Sequence, residues 1–303
     1  MIPPWILFTV SAAGFQTWRT AKQQKLRGKL SVNGAGVVRF LYGVPAGFVI
    51  LGTYLALFGG SFGSFTPLFL FYCMLGGLGQ ILGTNLLIMS FDSRGFAVGT
   101  AYSKTEAIQA AFIALFLLGE TLSPLSWAGI ALSVSGVLTL SFAGKGFSVG
   151  AFIEASLQRG ALLGIGAGSC FAICSIFIKS ANIALDGDDP VLKALVCLVV
   201  INGMQTIMQG SWMLWREPGE VRRVFANWKD SMWVGALSAS GSACWFSGFA
   251  LAPVAMVRAV GQVEILFTLL ASRFYLKERT SLTERVGALI VVAGVVLVLL
   301  GRH

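Results

Sequence analysis

The chain has 303 residues, of which 56% are hydrophobic and only 12% charged, with a net charge of +9 and a mean hydropathy of +0.80. A soluble domain carries roughly 25% charged residues, and so few charges cannot keep a surface of this size dissolved. The composition excludes a soluble enzyme and indicates a polytopic membrane protein.

A helix that crosses the hydrocarbon core needs about 20 mostly apolar residues. In chain order, the sequence offers ten such runs: 3–21, 34–58, 66–90, 95–119, 122–142, 160–182, 190–215, 231–252, 253–275 and 282–301. The runs are continuous rather than alternating, which predicts helices and not the strands of a barrel. The first run has no small-residue cleavage site after a basic start, so it reads as a span. The gap 143–159 separates two groups of five spans. This predicts a first unit over 1–143, a connection over 144–159 and a second unit over 160–303.

The two groups repeat. With residue n placed over n+158, Leu118, Glu120, Ser123, Gly129, Val134, Gly136 and Val137 fall on Leu276, Glu278, Ser281, Gly287, Val292, Gly294 and Val295. The same offset places Glu106 over Glu264, near the middle of spans four and nine. Five spans is an odd number, so the second unit runs through the membrane upside down relative to the first. The predicted fold class is therefore all-α integral membrane, with ten transmembrane helices in two inverted five-helix repeats, an architecture of secondary transporters. Gly129 and Gly136, Gly287, Gly294 and Gly301, the pair Gly79 and Gly83, and the series Gly160, Gly164 and Gly168 recur at helical spacing. They are read as packing positions where helix backbones approach.

Several chemistries are excluded. The single histidine is His303, so histidine-based triads and metal sites lack their ligand. Cys73, Cys170, Cys174, Cys197 and Cys244 all lie in apolar runs, which does not suit a disulfide framework. No Walker or dinucleotide motif follows a strand pattern. The expected cofactor set is empty, nucleic acid is not an expected partner, and the positive charge marks cytoplasmic loops beside lipid.

Alternate numbering of the loops puts 16 Lys and Arg on one side, from Arg19 to Arg285, and three on the other, Lys193, Arg258 and Arg302. The positive-inside rule then puts the basic side in the cytoplasm and both termini outside.

Ionisable groups at mid-membrane cost about 2.5–3.5 kcal/mol each on insertion scales, and usually face the bundle interior. The candidate substrate-binding residues are Lys104, Glu106, Tyr102, Gln80, Trp245, Arg258, Gln262 and Glu264, with Gln16 and Asn85 as further polar groups within spans. The uncharged groups among them are individually more often interhelical contacts, and each glutamate also reads as a structural carboxylate bonded to a neighbouring helix. On a continuous helix Lys104 and Glu106 stand about 200° apart, so Lys104 is expected to meet a different neighbour: either a substrate anion or a glutamate of another span. Tyr102, one turn below Glu106, is expected to share its face. Arg258 is read either as a partner of an anionic substrate or as a side chain snorkelling to the interface. Buried carboxyls of this kind suit proton coupling.

The run TEAIQAAFIALFLLGE at 105–120, followed by TLSPLSWAGIALSVSGVLTL, resembles the EamA repeat of the drug/metabolite transporter superfamily, as does VEILFTLLASRFYLKE at 263–278. The resemblance covers essentially the whole chain. It implies a bacterial-type inner-membrane carrier of small metabolites; relatives of the YddG type export amino acids, and others carry nucleotide sugars, phosphorylated sugars or quaternary ammonium compounds. Two departures stand out. The proline that the family has after the buried glutamate is Ala107 in one repeat and Ile265 in the other, which predicts a softer kink. The family is commonly drawn with both termini cytoplasmic, opposite to the charge count. Glu120, Glu278 and Lys179 match family positions and are read as structural. The leading expectation is a secondary transporter exporting amino acids or similar small polar metabolites by alternating access, driven by a gradient or by ion or proton exchange. A channel or facilitator, and a carrier of phosphorylated or sugar-type metabolites, are the alternatives.

Overall fold

A computed structural model describes residues 2–90, 96–140, 157–274 and 282–301, and every element among them is helical. The helices are α1 (Pro4–Leu26), α2 (Val32–Leu41), α3 (Gly43–Phe58), α4 (Pro67–Ser90), α5 (Phe96–Ser103), α6 (Glu106–Leu118), α7 (Pro124–Leu140), α8 (Arg159–Ala184), α9 (Pro190–Arg216), α10 (Pro218–Ala226), α11 (Trp228–Leu251), α12 (Val254–Val260), α13 (Glu264–Phe274) and α14 (Leu282–Leu300), with a 3₁₀ turn at Gly261–Val263. Pro4, Pro67, Pro124, Pro190 and Pro218 each open a helix. At that position the missing N–H has no intrahelical partner to lose and the fixed φ is already helical. Asp189 adds a side-chain cap to α9 by accepting from the N–H groups of Val191 and Leu192.

Among the described residues, five helical stretches are long and apolar enough to cross a membrane: Val32–Phe58, Pro67–Ser90, Arg159–Ala184, Pro190–Arg216 and Trp228–Leu251. Their outer faces carry bulky apolar side chains such as Phe48, Phe71, Ile207 and Leu214, all exposed, as a lipid-facing surface requires. The expected spans four and nine are interrupted, as α5 and α6 and as α12, the 3₁₀ turn and α13.

α1 runs past the expected end at residue 21 to Leu26. Arg19, assigned to a loop by the sequence count, is therefore inside a helix and buried. Arg258, counted on the opposite side, is likewise buried in α12. Removing both leaves the asymmetry of the basic loops essentially unchanged. Glu278, Arg94, Lys145, Lys277 and most of the connection 144–159 lie outside the described residues.

The most extensive helix packings are α4 on α8, α7 on α14 and α1 on α11. Glycines set the approach of α7 and α14. A Cβ on Gly129 would lie 2.7 Å from the Gly294 carbonyl oxygen, and one on Gly294 would lie 2.7 Å from the Gly129 carbonyl oxygen. One turn pair further on, a Cβ on Gly136 would meet the Gly287 carbonyl at 2.9 Å. The two backbones touch, which is where dispersion contacts accumulate in lipid.

Gly294→Ala is expected to lower the melting temperature in detergent, since overpacking against backbone costs at least about 1–3 kcal/mol. Gly203→Ala, where a Cβ meets nothing within 4 Å, is expected to leave it unchanged or raise it. Equal melting temperatures for the two variants would refute the close approach.

Candidate functional site

The two interrupted spans meet at their breaks. In the first, Lys104 N–H bonds back to the Ala101 carbonyl (3.0 Å) and Thr105 N–H to the Tyr102 carbonyl (3.2 Å). The chain turns tightly here, and a new helix, α6, starts at Glu106. In the second, the 3₁₀ turn Gly261–Val263 precedes α13, which starts at Glu264. Gln262 Nε2 donates to the Lys104 carbonyl oxygen at 2.9 Å, so a side chain from one break satisfies the backbone of the other. Neither break contains proline. Packing holds them instead: Gly261 lies beneath the Trp245 ring, and a Cβ on Gly168 of α8 would stand 2.8 Å from the Ser103 carbonyl oxygen. In place of the softer kink expected at Ala107 and Ile265, the α-helical hydrogen bonding is interrupted by a tight turn two to four residues earlier.

Each new helix carries its glutamate in the first turn, where the partial positive charge of the free N–H groups favours a carboxylate. Both glutamates are paired across the chain. Lys104 Nζ bonds to Glu264 Oε2, and Arg258 Nη1 lies 3.3 Å from Glu106 Oε1. Gln16 Nε2 also donates to Glu264 Oε2 (2.7 Å), and Trp245 Nε1–H donates to Gln16 Oε1 (3.0 Å). Arg258 donates further to Ser175 Oγ and the Phe171 carbonyl oxygen, and its guanidinium lies 5.0 Å from both the Trp245 and Phe249 ring centroids. Arg258 is therefore turned inward, which corrects the snorkelling alternative. Arg39 Nε and Nη1 each donate at 2.7 Å, to Ser238 Oγ and Thr84 Oγ1.

These side chains surround one cavity. Its wall includes Gln16, Arg19, Arg39, Gln80, Lys104, Glu106, Trp245, Arg258 and Glu264, with Phe171, Phe246 and Phe249 as an aromatic face. The free space at its centre is about 40 Å³, room for a few waters and not for a metabolite. The six ionisable groups are 5–8% exposed, so the structure is that of a closed site.

Six of the eight sequence candidates are brought together here: Gln80, Lys104, Glu106, Trp245, Arg258 and Glu264. Gln262 is buried and ties the two breaks together, and Tyr102 is buried off the wall. The helix break between Tyr102 and Glu106 removes the shared face expected of an intact turn. It also lets Lys104 and Glu106 line the same cavity, against the 200° separation expected of a continuous helix. Gln16 joins the wall, whereas Asn85 bonds to Asn33 (3.3 Å) and Gln209 (3.4 Å) away from it. Glu120 takes a structural position: Oε1 accepts from Lys179 Nζ at 2.5 Å and Oε2 accepts from Val254 N–H at 2.8 Å, closing the start of α12.

Residues 158–300 match the EamA-like transporter family. This EamA-like domain, in the second half of the chain, supports membership of the drug/metabolite transporter superfamily. A solved crystal structure whose description names no activity superposes over 98% of this chain and 97% of its own, with a TM-score of 0.69 at 17% sequence identity; a likeness at that identity shows the fold alone. No curated protein matches the sequence. The EamA-like domain and the long apolar helices support a multi-pass membrane protein, and the family implies a transporter of small solutes.

Two charged residues of the cavity wall, Arg19 and Arg39, escaped the sequence reading. Arg39 was visible as an arginine inside a span, and that position alone marks it. Arg19 was hidden because the charge density after residue 19 suggested that the helix had ended.

The crossed pairing of Lys104 with Glu264 makes a testable statement about stability. Removing one member of a buried pair costs about 3–5 kcal/mol, whereas replacing both is often neutral. Lys104→Met alone is expected to lower the melting temperature of the detergent-solubilised protein clearly more than the double variant Lys104→Met/Glu264→Gln. A double variant at least as unstable as the sum of its singles would show that the two groups do not pair.

Proposed function

We propose that this protein is a secondary transporter that moves small polar metabolites, amino acids foremost, by alternating access through the closed cavity. Its reading as ten spans in two inverted five-span repeats, 1–143 and 160–303 joined by 144–159, is part of the same proposal. The observation that carries it is the equivalence of the two breaks. Lys104 and Gln262, and then Glu106 and Glu264, stand 158 residues apart, and the two interrupted spans meet at these positions. Interrupted helices that expose helix termini at a midplane site are the device by which inverted-repeat transporters hold polar cargo. The packing pairs α1 with α11 and α4 with α8 are those that an exchange of repeats maps onto each other, and α7 with α14 maps onto itself.

Both ion pairs of the cavity and several of its hydrogen bonds join the two sequence halves: Lys104 to Glu264, Arg258 to Glu106, Arg39 to Ser238, and Trp245 to Gln16. Rocking one half against the other must break some of them. A substrate that replaces them lowers the cost of that movement, which couples binding to access. The carboxylate of an amino acid suits the arginine side of the wall, and its ammonium suits Glu264. Protonation of Glu264 or Glu106 releases a cation partner without any substrate, which is a route to proton coupling.

Uptake into proteoliposomes at two pH values tests this. Wild type is expected to exchange a panel of amino acids with pH-dependent rates. Glu264→Gln is expected to remove the pH dependence while inserting normally, and Lys104→Met to weaken cargo bearing a carboxylate or phosphate selectively. Unchanged rates and pH dependence in both variants would reduce these residues to packing elements.

The orientation proposed with this function places both termini outside the cytoplasm, in a bacterial inner membrane, because the basic loops collect on the opposite face. The amphipathic α10 belongs to that basic face: Val224 is buried, Phe225 exposed, and Arg222 and Arg223 flank them. A C-terminal reporter active only in the cytoplasm is expected to be silent; a fully active one would reverse the orientation.

A further inference from the structure

The charges around the cavity do not balance. Four cations, Arg19, Arg39, Lys104 and Arg258, share its wall with two carboxylates, Glu106 and Glu264. Both carboxylates are occupied by Lys104 and Arg258. Among the described residues, neither Arg19 nor Arg39 has an acidic partner. Arg39 donates to two neutral hydroxyls, and Arg19 reaches only Thr20 Oγ1, at 3.3 Å. Arg39 feels the charges of Arg19 and Arg258, and Arg19 feels Glu264 at a distance, a carboxylate already paired with Lys104. Both arginines are nine-tenths or more buried.

Arginine stays protonated under all ordinary conditions, so this surplus cannot be removed by losing protons. Hydroxyl groups solvate a guanidinium but do not neutralise it. A buried, uncompensated charge is tolerated where something else brings the opposite charge. Here the surplus is two, and the cations carrying it line the space that must open to admit cargo.

We infer that the cargo of this transporter is a small organic dianion, whose two negative charges are met by Arg39 and Arg19. This rests on the transporter reading above and, within its small polar metabolites, puts dianions ahead of amino acids. A zwitterionic amino acid, even with its carboxylate on the arginines and its ammonium by Glu264, adds no net charge and leaves the surplus of two in place. A dicarboxylate, or a phosphate monoester near neutral pH, balances it. The planar guanidinium suits either, because two parallel N–H groups match two oxygens of a carboxylate or a phosphate. The remaining part of the molecule has the aromatic face of Phe171, Phe246 and Phe249 to pack on.

Ligand binding to the purified, detergent-solubilised protein tests this without requiring transport. The probes are succinate, glycerol 3-phosphate and phenylalanine, followed by thermal shift and by the fluorescence of Trp245 against a Trp245→Phe background. Wild type is expected to bind at least one dianion tenfold or more tighter than phenylalanine, and whichever dianion does so identifies the head group as carboxylate or phosphate. Arg39→Gln and Arg19→Gln are expected to weaken that dianion at least tenfold, and Arg39→Lys to restore part of the loss. Tighter binding of phenylalanine than of both dianions in wild type would overturn the inference, as would dianion binding within twofold of wild type in both glutamine variants, or no binding of either dianion at millimolar concentration. The wild-type comparison stands even where an arginine variant fails to fold. Dianion binding without uptake of any probe into proteoliposomes would leave the anion site in place and refute the transporter mechanism instead.

Discussion

Two cations and two carboxylates exchanged between the halves of the sequence, Lys104 with Glu264 and Arg258 with Glu106, set the arrangement of everything around them. In a low-dielectric interior an unpaired charge is expensive, and a paired one is tolerable only when geometry and further hydrogen bonds are good. Each carboxylate therefore needs a helix start beneath it and a cation opposite. The helix start requires a break in the span, and the cation must come from the other half. Gln16, Ser175 and the Phe171 carbonyl oxygen complete the satisfaction of these groups.

The breaks follow from the same constraint. A broken helix at mid-membrane leaves N–H and C=O groups without partners, which lipid cannot supply. The chain meets this cost by bringing the breaks together, so that Gln262 serves the Lys104 carbonyl. Glycines at 168 and 261 admit the neighbouring backbone and the Trp245 ring. Proline is not needed when packing of this kind dictates the turn. The site is thus built by helix starts and neighbouring side chains together, and no single helix contains it.

Function grows from how these links are distributed. Both ion pairs join the two halves of the sequence, so the closed cavity is bridged by polar contacts between them. The peripheral packing is different in character: α7 and α14 touch through glycine backbones, a contact without charge that no solute can imitate. Lys179 and Glu120 fix the start of α12 at a distance from the cavity centre. The molecule therefore separates a polar centre from an apolar frame, the division on which the proposed carrier mechanism rests.

The sequence alone determined that the chain lives in a membrane, because too few charges serve too many apolar residues, and where its apolar runs begin and end, because prolines and short polar gaps mark the boundaries. It also picked out Lys104, Glu106, Arg258 and Glu264, since an ionisable group inside an apolar run is costly wherever the run lies. Only the tertiary structure decided who pairs with whom. Helical periodicity separated Lys104 from Glu106 and joined Tyr102 to Glu106, and the break at residues 104–105 reversed both, because periodicity holds only along an unbroken helix. Arg19 looked like the end of a span and proved to be cavity wall. Whether a cation near a helix end reaches water or turns inward depends on the helix packed beside it, and no local pattern in the chain records that neighbour.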